Sequence, residues 1–172
     1  MRMMLFAPAF LALAGCASMH MASHAGAVAS LEPTTGNAVR GSVTFTQDGD
    51  EVRVHATVSG LPPNSEHGFH IHDKGDCSSG DGMSAGGHFN PGGKPHGPPS
   101  GEHHAGDMPS LVADAYGTAN ASFELKGVKV GGGGPNDVVG HGLIVHKDPD
   151  DFKTQPTGNS GARLACAVIR AS

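Results

Sequence analysis

From Ala38 onward, apolar and polar side chains alternate along much of the chain. In residues 41–47, Val43 and Phe45 alternate with Ser42, Thr44 and Thr46. In residues 51–58, Val52, Val54, Ala56 and Val58 share one face, while Glu51, Arg53, His55 and Thr57 share the other. Successive side chains of a strand point to opposite faces, so the pattern predicts two strands with one buried side. Asp48-Gly49 between them is a hairpin-turn signal. A further alternation sets Ala119, Ala121, Phe123 and Leu125 against Thr118, Asn120, Ser122 and Glu124. Short apolar strands are predicted at 143–145 and 164–169. No segment carries the stripe of an amphipathic helix. The expected fold class is all-β, an antiparallel sandwich or flattened barrel.

Two stretches interrupt this pattern. Residues 73–110 are rich in Gly, Pro and His, and residues 147–162 are polar and charged. Loops this long are uncommon unless they carry function or are disordered. The Gly131–Gly134 run before Pro135 is a flexible connector with no assigned chemistry.

The first residues follow a different rule. Arg2 precedes a short apolar run, residues 5–14, about the length of a signal-peptide core and too short to span a bilayer. It ends in Leu13-Ala14-Gly15-Cys16, which resembles a bacterial lipobox in which Cys16 is lipidated. The alternative is an ordinary signal peptide with an incidental cysteine. On the first reading residues 1–15 are a leader and 16–36 a lipidated tether. The functional domain then occupies 37–172. His20 and His24 fall in the tether as solvated residues. Export makes a disulfide the default for the remaining pair, Cys77 and Cys166, and two buried thiols the alternative. Closing a loop of about 90 residues would stabilise by roughly 4–5 kcal/mol in the chain-entropy model. The 172 residues suffice for one domain, and a net charge of −5 excludes the basic face of a nucleic-acid binder.

Twelve histidines change the picture most. In a strand, His70 and His72 project from one face, and paired imidazoles suit copper or zinc. Taken alone, two exposed histidines on a polar face explain them equally well. His88, His96, His104 and Asp107 fall within one loop and match a closed tetrahedral zinc site, which is structural rather than catalytic. Incidental clustering in a His-rich loop is the competing explanation. His146 ends the predicted strand at 143–145.

Gly68-Phe69-His70-Ile71-His72, Gly86-Gly87-His88-Phe89-Asn90-Pro91, His104-Ala105-Gly106-Asp107, Val145-His146 and Gly158-Asn159-Ser160-Gly161-Ala162-Arg163-Leu164-Ala165-Cys166 occur in this order. Together they resemble the successive motifs of copper–zinc superoxide dismutases, over roughly residues 37–170. The resemblance implies a Greek-key β-sandwich or flattened barrel with two long functional loops. It implies copper on His70, His72, His88 and His146, and zinc on His88, His96, His104 and Asp107. His88 is then a bridge between one copper and one zinc per subunit. His103 is the rival of His104, and the His-x-x-Asp step to Asp107 favours His104. Asp150 matches the carboxylate that orients ligands from behind, with Asp151 as its rival. Arg163 matches the arginine that attracts superoxide, and His67 a structural histidine. Lys147 and Lys153 are candidate steering charges.

The implied activity is dismutation of superoxide to O₂ and hydrogen peroxide, with Arg163 and His88 as catalytic residues. The longer Cys77-to-His88 segment resembles bacterial members, which with Cys16 points to a periplasmic, lipid-anchored enzyme; Ala17 after Cys16, with no Asp there, favours the outer membrane. Either a homodimer or a monomer is compatible with the pattern. The competing reading is a copper- and zinc-binding envelope protein on the same fold without turnover.

Overall fold

The computed structural model describes residues 25–172. The leader, Cys16, His20 and His24 lie outside the described residues. Among the described residues ten strands occur in the order β1 (Gly26–Pro33), β2 (Arg40–Asp48), β3 (Glu51–Ser59), β4 (Glu66–His67), β5 (Phe69–His72), β6 (Leu111–Val112), β7 (Ala119–Lys126), β8 (Gly142–His146), β9 (Arg163–Val168) and β10 (Arg170–Ala171). A single 3₁₀ turn, Met83–Ala85, is the only helical element among the described residues. The expected all-β class is observed.

The main sheet runs β5-β8-β9-β1-β2-β3-β7, with β10 also paired to β1. Every named pairing is antiparallel. The sheet curls into a half-barrel. Two connections, β3 to β5 and β7 to β8, carry the chain across to the far side of the sheet. The predicted hairpin is the β2–β3 pair, with Val43 opposite Ala56 and Phe45 opposite Val54. Gly49, at a φ of 59°, supplies the left-handed turn. The alternation then does what it promised: Val43, Phe45, Val52, Val54, Ala56 and Val58 are fully buried in one core.

One sequence expectation is corrected. Residues 26–33, assigned above to the tether, form β1, the strand that joins the two halves of the sheet. Gly26–Leu31 pair with β2, and Glu32 and Pro33 pair with β9. Ala27, Ala29 and Leu31 point into the core at 1% exposure each. Small alanines carry a weak apolar signal, but burial against Phe45 and its neighbours needs only their size and register.

Strands β5 and β8 show no alternation, because every residue in them is buried. Phe69, Ile71, Leu143 and Val145 enter the main core. The other face is covered by the long loops. There Ile144, Cys166 and Ala85 form a second, small cluster against Cys77. The metal-type histidines of both strands stand on this covered face.

Truncation of Phe45 to alanine should leave a cavity where β1, β2 and β3 meet. Thermal or urea unfolding should show a loss of about 3–5 kcal/mol.

Candidate metal centre

His70 and His72 project from β5 on the face opposite Phe69 and Ile71. His146 ends β8, next to a register irregularity between Val145 and His146, and it pairs with Arg163 at the start of β9. The free edge of β5 is completed by the long loop rather than by another strand. Phe89 N–H donates to the Ile71 carbonyl at 2.9 Å, and Ile71 N–H to the Gly106 carbonyl at 2.9 Å. Isolated bridges set His72 against His88 and His70 against Asp107. Gly106 packs so closely on the Ile71 carbonyl that no side chain fits there. Backbone hydrogen bonds, with Phe89 and Met108 buried in the main core beside them, therefore bring residues 88 and 107 beside residues 70 and 72.

Two groups of potential ligand atoms result. His70, His72, His88 and His146 form one, and His88, His96, His104 and Asp107 the other. Within each group the atoms lie within 4.8 Å of one another, and every residue is buried. His88 belongs to both. These are the residues that the family resemblance singles out, and the fold places them together. His103 stays outside, its Nδ1 donating to the His104 carbonyl at 2.6 Å.

The hydrogen bonds show which nitrogen of each ring is left over. His70 Nε2 donates to Asp150 Oδ2 at 2.7 Å, leaving Nδ1. His72 Nδ1 donates to the Gly86 carbonyl at 2.9 Å, leaving Nε2. His146 Nδ1 donates to the Gly161 carbonyl at 3.4 Å, leaving Nε2. The two remaining Nε2 atoms of His72 and His146 face each other at 3.3 Å. His96 Nε2 donates to the other oxygen of Asp150 at 2.9 Å, leaving Nδ1.

That leftover nitrogen sits 3.0 Å from Asp107 Oδ2, without hydrogen-bond geometry. His88 Nδ1 lies 2.7 Å from Asp107 Oδ1 and 3.5 Å from His104 Nδ1. His70 Nδ1, His88 Nε2 and His96 Nδ1 are buried with no hydrogen-bond partner. Orphaned buried polar atoms are costly and rare. Here they converge in two places, as lone pairs do around cations. The donor sets fit copper and zinc: four imidazoles in one, three imidazoles and a carboxylate in the other.

Electrostatics favour the ligand forms. Burial, followed by the charges of neighbouring histidines, holds His70 and His72 well below the usual imidazole range. Burial pushes His146 down to about 3 and also lowers His104. For Asp107 burial pulls upward, but the His88 hydrogen bond and the surrounding imidazoles outweigh it and hold the carboxyl far below its ordinary value. Neutral imidazole and ionised carboxylate are the states a metal needs.

The surroundings are equally ordered. Asp150 spans both groups through His70 and His96; Asp151 faces solvent and caps Lys153 and Thr154 instead. Arg163 is half-buried and gripped by the Gly82 carbonyl at 2.7 Å and the Gly86 carbonyl at 2.6 Å. Gly86 thus holds both Arg163 and His72. The Cys77–Cys166 disulfide ties this segment to β9. His67 donates to the His146 carbonyl at 2.8 Å and contacts Ser65 Oγ, the structural position expected. Lys147 and Lys153 are exposed.

Two contributors escaped the sequence reading. Gln155 pairs with both backbone groups of His96, each at 2.8 Å, across 59 residues. Thr34, buried beside β1, donates to the Arg163 carbonyl at 2.7 Å. Neither has a local signal, because each partner is distant in sequence.

Comparison with known proteins agrees with this geometry. The family described as copper/zinc superoxide dismutase (SODC) matches residues 39–169. An extracellular superoxide dismutase [Cu-Zn] of Brugia pahangi is 39% identical over 85% of this chain and 76% of its own. Superoxide dismutase [Cu-Zn] 2 of Brassica juncea is 42% identical over 76% of this chain and 89% of its own. Among solved structures, the clock protein EA4 superposes with a TM-score of 0.77 at 37% identity, covering 86% of this chain and 94% of that one. A double mutant of an SOD-like protein from Bacillus subtilis gives 0.75 at 38% identity, covering 83% and 96%. With its antiparallel half-barrel and its two histidine clusters compatible with copper and zinc, the chain belongs to the copper/zinc superoxide dismutase family.

Proposed function

We propose that this chain converts two superoxide ions and two protons to dioxygen and hydrogen peroxide at the cell envelope. The observation that carries this reading is the sharing of His88 between the two ligand groups. His70, His72, His88 and His146 would hold copper, and His88, His96, His104 and Asp107 zinc. Copper held there would supply the one-electron redox change, and zinc a fixed positive charge beside His88.

The chain's own residues do the rest. Arg163 is a fixed cation whose two contacts with protein are to carbonyls, so its charge stays unneutralised by any acid in contact. On a protein of net charge −5, such a local positive group is what draws in and orients a small anion. His88 Nε2, buried and unpaired in the protein, is the atom suited to hold and release the proton that peroxide formation needs. Asp150 fixes the tautomers of His70 and His96 and raises their basicity as ligands. Lys147 and Lys153 are the further steering charges.

Location belongs to the same proposal. The lipobox-like Cys16, the leader and the disulfide together support export and lipid anchoring, with the outer membrane favoured. The extracellular relative from Brugia pahangi supports a secreted setting.

Three measurements test these points. Metal-reconstituted protein should dismute superoxide in a pulse-radiolysis or cytochrome c competition assay. Arg163→Ala should lower the rate roughly tenfold or more and flatten its salt dependence; full copper loading without turnover in the unmodified protein overturns the enzymatic reading. Acid should act through the imidazoles. Their folded values lie below the ordinary 6.5, so the stability they contribute is complete above 6.5 and is lost as pH falls from there toward about 3. Unfolding of the metal-free protein should therefore become easier across that window, and metal release should track it. Lastly, labelled-lipid incorporation in a bacterial host should be lost on Cys16→Ser; unchanged incorporation would remove the anchor from the proposal.

A further inference from the structure

One cavity of about 310 Å³ lies on the far side of the long loop, between that loop and the end of β7. Asn90, Lys94, His103, Lys126, Gly127 and Asn136 line it, with no carboxylate among its walls. Its size suits a small ligand with bound water. Lys94 makes no ion pair among the described residues. Its backbone is clamped from both sides by Asn90, whose Oδ1 accepts from Lys94 N–H at 3.0 Å and whose Nδ2 donates to the Lys94 carbonyl at 2.9 Å. Lys126 pairs with Glu51 across the strands at 3.2 Å, an exposed contact that leaves ammonium donors free. Asp137, the acid nearest in sequence to Asn136, is spent on the backbone N–H groups of Gly131, Gly133 and Val139. His103, unused by either metal group, is held at the wall by its bond to the His104 carbonyl.

A cavity walled by two lysines, one of them unpaired among the described residues, and by no carboxylate is an attractive place for an anion on a chain of net charge −5. We infer that this cavity binds a small oxyanion of the phosphate class, bridging Lys94 on the histidine-bearing loop to Lys126 on the sheet. Such a bridge would fasten the loop that carries His88, His96 and His104 to β7.

The test is a titration of the reduced, metal-loaded, isotope-labelled protein with inorganic phosphate at low ionic strength, followed by nuclear magnetic resonance. Saturable amide shifts are expected at Gly92, Gly93, Lys94, Lys126 and Gly127. The double substitution Lys94→Gln/Lys126→Gln should weaken binding at least tenfold with dismutation unchanged. The pair Lys94→Arg/Lys126→Arg should retain it. Shifts confined to the neighbourhood of Arg163, or shifts that survive the double glutamine substitution, would overturn the site. A vesicle arm separates the sources of the anion. Sedimentation with phosphatidylglycerol but not phosphatidylcholine vesicles, lost in the glutamine variant, assigns a lipid headgroup. Phosphate binding without vesicle binding assigns the free ion.

Discussion

The structure depends on one costly arrangement: six histidines buried together with two aspartates, with three imidazole nitrogens that the protein itself does not answer. His70 Nδ1, His88 Nε2 and His96 Nδ1 have no hydrogen-bond partner. Each such group costs about 1–3 kcal/mol when buried without a partner. A fold optimised for stability alone would not hold them together. Cations at the two convergence points remove the cost, which makes metal loading and folding parts of one equilibrium.

The remaining architecture keeps that arrangement rigid. The half-barrel core contributes two inflexible platforms, β5 and β8, whose outward faces present three imidazoles. The long loop docks through its backbone on the open edge of β5 and buries Phe89 and Met108 in the main core. Asp150 then spans the two clusters with its two oxygens and couples the orientation of His70 to that of His96. Gln155 fixes the backbone of His96, and the disulfide fixes the segment whose carbonyls grip Arg163. These constraints reach the clustered histidines from different parts of the chain.

Charge is distributed by the same logic. The chain is acidic overall, yet Arg163 carries a charge that no acid contacts, because its protein partners are carbonyls. Lys94 and Lys126 make a second basic locus on the opposite side of the loop. A negative surface with local cationic openings favours small anions at chosen points and disfavours them elsewhere.

How much of this was visible in the chain depends on range. Alternation over residues 41–58 and 119–125 marked strands because a half-buried strand imposes a period of two. It said nothing for β5 and β8, which are buried on both faces, and it missed β1, whose alanines are too small to register. The motifs from Gly68 to Cys166, through the family resemblance, pointed to the histidines and the aspartate that the fold gathers into two clusters, since metal chemistry demands particular side chains. The choice of Asp150 over Asp151 and of His104 over His103 rested on resemblance until geometry separated them: adjacent residues differ in direction, and direction is set by packing. Gln155, Thr34 and the carbonyls of Gly82 and Gly86 were legible nowhere, because a carbonyl has no sequence signature and their partners lie 59 to 129 residues away. The sequence by itself determined the strand periodicity and the identity of the candidate ligand side chains, which are local or chemical properties. Only the tertiary structure decided which lone pairs converge, because convergence depends on where a long loop meets the edge of β5.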